Sequence, residues 1–342
     1  MIAAPTQTVT QEQRTFVEQP QQPLWQTSQL IFENMFEAIC EAIATLDEKP
    51  LMEQTWKREN GRWVMGQGDD TALYVDRALQ GGNVFEKAGI NYVAIAGNLP
   101  PGMNFQTSGA LTTAAADQQS GGQGQTFFAT GSSVVIHPKN PMAPTVHANY
   151  RYFQVGDRDR PDYWWFGGGA DLTPTYLFVE DAIHFHQIHK DVCDKHEVAD
   201  HAQFKQNCDD YFYIRHRGES RGIGGIFFDH LRDDNTIALL DFVKDCTEVF
   251  VPAYFPLVER RKDLPFTQSN KQWQRVVRGR YVEFILTSDR GMKFGLESGM
   301  VTPQSVFNCM PAFASWEYDD EPQPGSPEAL LKEVLRQPRE WV

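Results

Sequence analysis

The segment Thr145-Val-His147-Ala-Asn149-Tyr-Arg151-Tyr-Phe carries a proton-transfer group, an amide and a guanidinium fork suited to carboxylates, each two positions from the next. Residues 145–155 alternate and are rich in β-branched and aromatic side chains, which reads as a strand. Period-two geometry then sets His147, Asn149 and Arg151 on one face and Tyr150 and Tyr152 on the other. The run 132–137 reads as a second strand and aligns Ser133 with His137 in the same way. Either histidine alone fits a satisfied core residue. A row of polar groups does not, because each buried group left without a partner costs about 1–3 kcal/mol. A cleft is the simpler explanation. Downstream, Trp164-Trp-Phe-Gly-Gly-Gly-Ala-Asp171 reads as a turn whose glycines let the backbone approach a ligand, with Asp171 placed to cap the turn.

Positioning this row requires a sheet with something packed behind it. In 29–48 the apolar residues Leu30, Ile31, Met35, Phe36, Ile39, Ile43 and Leu46 recur at helical spacing and predict an amphipathic helix on the body. Residues 91–96 read as a strand closed by Leu99-Pro-Pro-Gly, and 118–125 as a polar glycine loop lacking the strand-to-helix context of a phosphate cradle. Helices are expected over 179–195, 201–216 and 236–261, and a late strand over 279–286. Strands early, helices in the middle and a strand late predict an α+β fold, with a large, mainly antiparallel sheet covered by helices on both faces.

Composition narrows the class. The 342 residues contain 31 Lys and Arg against 45 Asp and Glu, a net charge of −14, with no basic block. Nucleic acid is therefore not an expected partner. No run approaches the roughly eighteen apolar residues a membrane span needs, and no secretory signal pattern opens the chain. The Gln-, Thr- and Pro-rich stretch 1–27 reads as a disordered tail. Five scattered cysteines (Cys40, Cys193, Cys208, Cys246, Cys309) lack zinc spacing and suit reduced thiols in the cytoplasm. His184, His186 and His189 form an H-x-H-x-x-H pattern in which the first two face apart, and no H-E-x-x-H motif marks a metal-dependent hydrolase.

The run 132–153, the 164–176 block, Glu180-Asp-Ala-Ile-His184 and Tyr211-Phe-Tyr-Ile-Arg-His216-Arg217-Gly-Glu-Ser-Arg221-Gly-Ile-Gly-Gly-Ile-Phe-Phe-Asp229 together resemble the oxygen-dependent coproporphyrinogen III oxidases. The similarity extends from about residue 81 to Trp341. It implies one domain over 28–342, no organic cofactor, dioxygen as co-substrate, and conversion of two propionates of coproporphyrinogen III to vinyl groups with loss of carbon dioxide. It makes His147 the proton donor, gives Asp171 a place in the pocket, and puts Ser133, Asn149, Tyr150 and Arg151 at the substrate. His137, His147, His184 and His216 occupy positions sometimes assigned to a divalent metal, which a cofactor-free mechanism does not call for. A substrate with four propionates is repelled at long range by a protein of charge −14, so binding needs a local cluster of guanidinium groups. At about 1.5–3 kcal/mol for each charge-assisted hydrogen bond, three or four arginines suffice, and Arg151, Arg217, Arg221 and Arg290 are the candidates. The resemblance also implies a homodimer, with the expected strand 281–286 at the interface and Ile285 making it more apolar.

Departures from the family pattern cluster in expected cleft loops. Ile285 replaces an asparagine, Met292 a threonine and His230 an aspartate; 66–73 replaces a glycine-rich run; and 298–305 lacks an expected arginine. Two functions follow: an active oxidase of coproporphyrinogen or a close relative, or a non-catalytic, regulatory tetrapyrrole-binding paralogue with altered substrate preference.

Overall fold

A computed structural model describes residues 22–59, 62–65, 72–98, 103–105, 111–113, 125–298, 307–318 and 321–342. Most of the expected tail, the segment 66–71, the turn at 99–102, the glycine loop as far as 124, and nearly all of the 298–305 loop lie outside them. The chain opens with α1 (Leu24–Leu46), which begins inside the stretch read as tail. Its stripe of Ile31, Phe32, Met35, Phe36, Ile39 and Ile43 is buried, as helical spacing requires. There follow β1 (Met52–Glu59), β2 (Arg62–Met65), β3 (Ala72–Gln80), β4 (Phe85–Asn98), a small hairpin of β5 (Met103–Phe105) and β6 (Leu111–Thr113), then β7 (Thr126–Pro138), β8 (Thr145–Gly156) and β9 (Pro161–Thr173). After α2 (Val179–Cys193) and α3 (His201–Tyr211) come the short pair β10 (Tyr213–Ile214) and β11 (Glu219–Ser220), and then β12 (Gly225–Leu231). Helices α4 (Thr236–Glu248), α5 (Phe250–Arg261), α6 (Gln268–Thr287) and α7 (Arg290–Ser298) follow, and a helix over Pro327–Arg336 stands near the C-terminus.

One eight-stranded sheet, in the order β12-β9-β8-β7-β4-β3-β1-β2, organises this α+β domain. Every neighbouring pair in it is antiparallel. Because side chains alternate, the register sorts them into two populations. One face presents Ile90 and Tyr92 of β4, Val134 and Ile136 of β7, and Tyr150 and Tyr152 of β8 to the main core, which they share with apolar residues of α1, α2, α4 and α5. The other presents Val135 to a smaller cluster with Phe212, Ile214, Tyr281, Phe284, Ile285 and Met310.

Three expectations fail for identifiable reasons. Residues 279–286 are helical, inside α6, which opens with a reciprocal capping box between Thr267 and Asn270. The short window of β-branched and aromatic residues hid a helical period, in which Val277, Tyr281, Phe284 and Ile285 share a buried face. Ile285 thus packs in the chain's own core rather than at a strand-mediated interface. The expected helix 236–261 breaks at Val249, where Pro252 lacks the backbone donor a continuous ladder would need and crowds the carbonyl four residues before it. The third helix stops at Tyr211, ahead of the β10–β11 turn around Gly218, whose φ is +68°.

Candidate active site

Strand pairing builds the site row by row. His147 on β8 lies opposite Val135 on β7 and Asp171 on β9. Ser133 lies opposite Asn149 on one side and Asn91 on the other, and Arg151 opposite Gly131 and Gly167. His147, Asn149, Arg151, Ser133 and His137 therefore share the face opposite the main core, as the alternation predicts. Tyr150 does not. It is fully buried on the core side with its ring against Phe228, so it cannot meet a ligand bound over His147.

The block 161–173 is a strand rather than a turn, and this corrects the reading of its glycines and of Asp171. A Cβ on Gly167 would lie 2.8 Å from the Arg151 guanidinium and 2.9 Å from Asp229 Oδ1, and one on Gly168 would lie 2.4 Å from the Tyr150 ring. The glycines make room for the protein's own side chains. Asp171 sits in mid-sheet, 1% exposed, beside His147.

His147 Nδ1 lies 2.7 Å from Asp171 Oδ1, and Arg221 donates to both oxygens of the same carboxylate at 2.9–3.2 Å. Burial pushes the Asp171 carboxyl up, but the Arg221 charge and the His147 hydrogen bond outweigh it and hold the group below the usual carboxylate range. Asp171 is consequently an anion, acceptor only, and the imidazole donates Nδ1–H to it, which leaves Nε2 as the nitrogen free for chemistry. Arg221 is itself fully buried, its guanidinium 4.0 Å from the Phe212 ring centre and 4.7 Å from that of Tyr281. Phe212 also meets the His147 ring edge-on, with centroids 5.9 Å apart. An aromatic wall thus keeps the Asp171–Arg221 pair dry while His147 stays partly open.

Arg151 donates Nη1 to Asn149 Oδ1 and Nη2 to Asp229 Oδ1, both at 2.9 Å. Arg290 approaches Asp229 Oδ2 at 3.9 Å and stands over the Tyr211 ring. A half-buried and an exposed guanidinium sharing one carboxylate leave an excess positive charge at this rim, suited to an anionic ligand. Asp229 reaches Arg151 because β12 bulges after Phe228, where His230 adopts a left-handed φ of 53° and stacks on Trp165. The unusual residue at position 230 therefore occupies a backbone kink beside the site.

The remaining candidates lie elsewhere. Arg217 and His216 both bind Glu283 of α6, Arg217 at 2.5 and 2.9 Å and His216 at 3.0 Å. His137 is buried and pushed far below its usual range by desolvation and by the Arg278 charge. It bonds the Cys309 carbonyl and the Thr145 hydroxyl. His184 bonds the Pro252 carbonyl on α5. The four-histidine metal grouping is not assembled, since each ring has a different partner, and no three His, Cys, Asp or Glu groups gather to hold an ion among the described residues. His186 and His189 are buried donors to the backbone. None of the five cysteines forms a disulfide, and burial pushes the Cys40 thiol up to about 11 and the Cys193 thiol to about 12, so neither is a ready nucleophile. Sequence reasoning missed Asp229, Asn91 and Phe212 as site residues. Alternation along β4 would have put Asn91 on the Ser133 face only if the pairing of β4 with β7 were known.

With this geometry established, the comparisons are unambiguous about kinship. A family model for coproporphyrinogen III oxidase matches residues 27–341. The chain is 46% identical over 320 residues to coproporphyrinogen-III oxidase 1, chloroplastic, of Arabidopsis thaliana, covering 91% of this chain and 78% of the relative. It is 46% identical over 281 residues to the oxygen-dependent coproporphyrinogen-III oxidase of Drosophila melanogaster, covering 82% and 70%. It is 45% identical over 305 residues to the mitochondrial human enzyme of that name, covering 89% and 64%. The chain belongs to the coproporphyrinogen III oxidase family.

Proposed function

We propose that the chain is an oxygen-dependent coproporphyrinogen III oxidase of haem biosynthesis, and of chlorophyll biosynthesis where the host makes it. The observation that carries this reading is a half-open imidazole, backed by a buried carboxylate–guanidinium pair, on the same sheet face as an arginine rim. The oxidase names of its relatives favour it over the tetrapyrrole-binding paralogue.

Each turnover must convert R–CH2–CH2–COO⁻, O2 and H⁺ into R–CH=CH2, CO2 and H2O2. The carboxylate leaves as carbon dioxide, a hydride equivalent reduces dioxygen, and one proton is taken up. His147 is suited to supply that proton from Nε2, because the Asp171 anion stabilises the imidazolium before transfer and fixes the tautomer after it. Arg151 and Arg290 hold a propionate at the rim, Asn149 orients Arg151, and Arg221 acts on substrate only through Asp171. Dioxygen is the co-substrate, and the reaction as written needs neither an organic cofactor nor a metal.

Two further readings complete the proposal. The protein acts as a homodimer, supported by the exposed Leu286, Leu296, Phe313, Trp316 and Tyr318 along the end of α6, α7 and the segment after it. It resides in the cytoplasm, supported by cysteines that form no disulfide; no helix among the described residues is long and apolar enough to cross a membrane, and the relatives named above include chloroplastic and mitochondrial proteins. The test is an aerobic assay of purified protein with coproporphyrinogen III, reading product fluorescence after oxidation. Protoporphyrin formation that stops without oxygen, while substrate still binds, is the expected result; binding without turnover in air would favour the paralogue.

A further inference from the structure

Asp76 on β3 is an acidic side chain buried to 5% exposure, with no ion-pair partner among the described residues, on the same face as His147. Register places it directly opposite Asn91, which lies opposite Ser133, which lies opposite Asn149, so one polar row crosses four strands. The groups are joined. Ser133 Oγ donates to Asn91 Oδ1 at 2.5 Å, and Asn91 Nδ2 donates to Asp76 Oδ1 at 3.4 Å. The second oxygen of Asp76 is buried without a partner. Burying a carboxyl in this way is unfavourable, and no ion pair offsets it, so the residue is not explained by stability.

Its effect on direction explains it. A carboxylate accepts and cannot donate, so Asp76 forces the amide nitrogen of Asn91 toward itself and the amide oxygen toward Ser133. Ser133 has one proton, and Asn91 takes it. Only lone pairs of Ser133 then face the cleft. Burial pushes the Asp76 carboxyl up to about 7, with the amides of Asn91 and Asn308 opposing the shift; Oδ1 accepts from Asn91 and Oδ2 has no hydrogen bond within 3.5 Å, so a proton gained at neutral pH goes to Oδ2. Oδ1 continues to accept from Asn91 in either state.

Resting on the oxidase reading above, we propose that Asp76 is a positioning residue that fixes Ser133 as an acceptor, so that Ser133 receives a pyrrole N–H of the macrocycle rather than donating to a propionate. Specificity on this side of the site is therefore for the ring nitrogens, while the arginine rim handles the carboxylates.

The test measures binding of coproporphyrinogen III without oxygen, and of zinc-chelated coproporphyrin, which has the four propionates but no pyrrole N–H. In the full chain, Asp76→Leu is expected to weaken coproporphyrinogen binding and raise KM by about 2- to 12-fold, the range of one net hydrogen bond, with kcat little changed. Asp76→Asn, whose amide oxygen still accepts from Asn91, should stay within about 2-fold. Ser133→Ala should lower coproporphyrinogen affinity but not that of the zinc chelate, and Asp76→Leu should have no further effect in the Ser133→Ala background. Additive effects of the two substitutions, or equal losses for both ligands, would overturn the inference while leaving the oxidase reading intact. Absence of turnover in the wild-type protein would overturn that reading instead. If Asp76→Leu fails to fold, Asp76→Ala carries the same comparison.

Discussion

Two clusters in this protein have the same composition and opposite character. His147, Asp171 and Arg221 meet on the sheet; His216, Glu283 and Arg217 meet on α6. In the first, Arg221 and Asp171 are 0% and 1% exposed. In the second, the His216 side chain is 53% exposed. Histidine, carboxylate and arginine in contact therefore do not by themselves make a reactive site. What distinguishes the first is that the sheet and an aromatic wall withdraw the ion pair from water and leave only the imidazole accessible, so its charge interactions are not screened. In the second the Arg217–Glu283 pair is itself 34% and 13% exposed, so water reaches the guanidinium and screens its attraction in part.

Paired substitutions turn this contrast into numbers. His147→Ala should lower turnover of coproporphyrinogen III by about 10²–10⁴-fold, as for loss of a general acid or base, with an unchanged melting curve. His216→Ala should leave steady-state rates within about 2-fold. Next in size, Arg221→Leu strands a buried carboxylate and should destabilise the fold by about 3–5 kcal/mol in denaturant titrations, whereas Arg217→Leu, at a partly solvated pair, should cost less. Arg151→Ala should weaken substrate binding by about 10- to 150-fold, the equivalent of about 1.5–3 kcal/mol, and alter kcat less than KM.

Acid stability gives the smallest contrast. Glu283 is pushed up by burial but held down to about 2 by Arg217 and His216, against an ordinary 4.5. A carboxyl with a depressed folded pKa stabilises above its unfolded value, and that contribution is lost as pH falls through the folded one. Stability should therefore decline from about pH 4.5 toward 2, and Glu283→Gln should remove about one proton from the slope in that window. Asp171, also depressed, titrates below its ordinary 3.8, so Glu283→Gln should leave part of the acid transition in place.

The legible part of the fold was the part governed by short periods. Alternation identified β8 and placed His147, Asn149 and Arg151 together, and the helical stripe of α1 stood out because its burial is one-sided. What sequence could not supply was register. Asp229 joins Arg151 only because of a bulge in β12, and Glu283 claims Arg217 only because 279–286 coils into α6 rather than extending. The glycines at 167–169 were misread for the same reason. Gly167 and Gly168 admit Arg151 and Tyr150 from β8, and Gly169 admits the Ile226 backbone of β12, relations invisible until β9 is paired with its neighbours.

In the proposed mechanism the His147 imidazole delivers the proton while the arginine rim holds the substrate. Its most direct measurement compares wild type and His147→Ala in two modes: coproporphyrinogen III binding without oxygen, and hydrogen peroxide release in air. Near-equal affinities are expected, with peroxide release reduced by about 10²-fold or more. Equal peroxide release, or a loss confined to affinity, would contradict it.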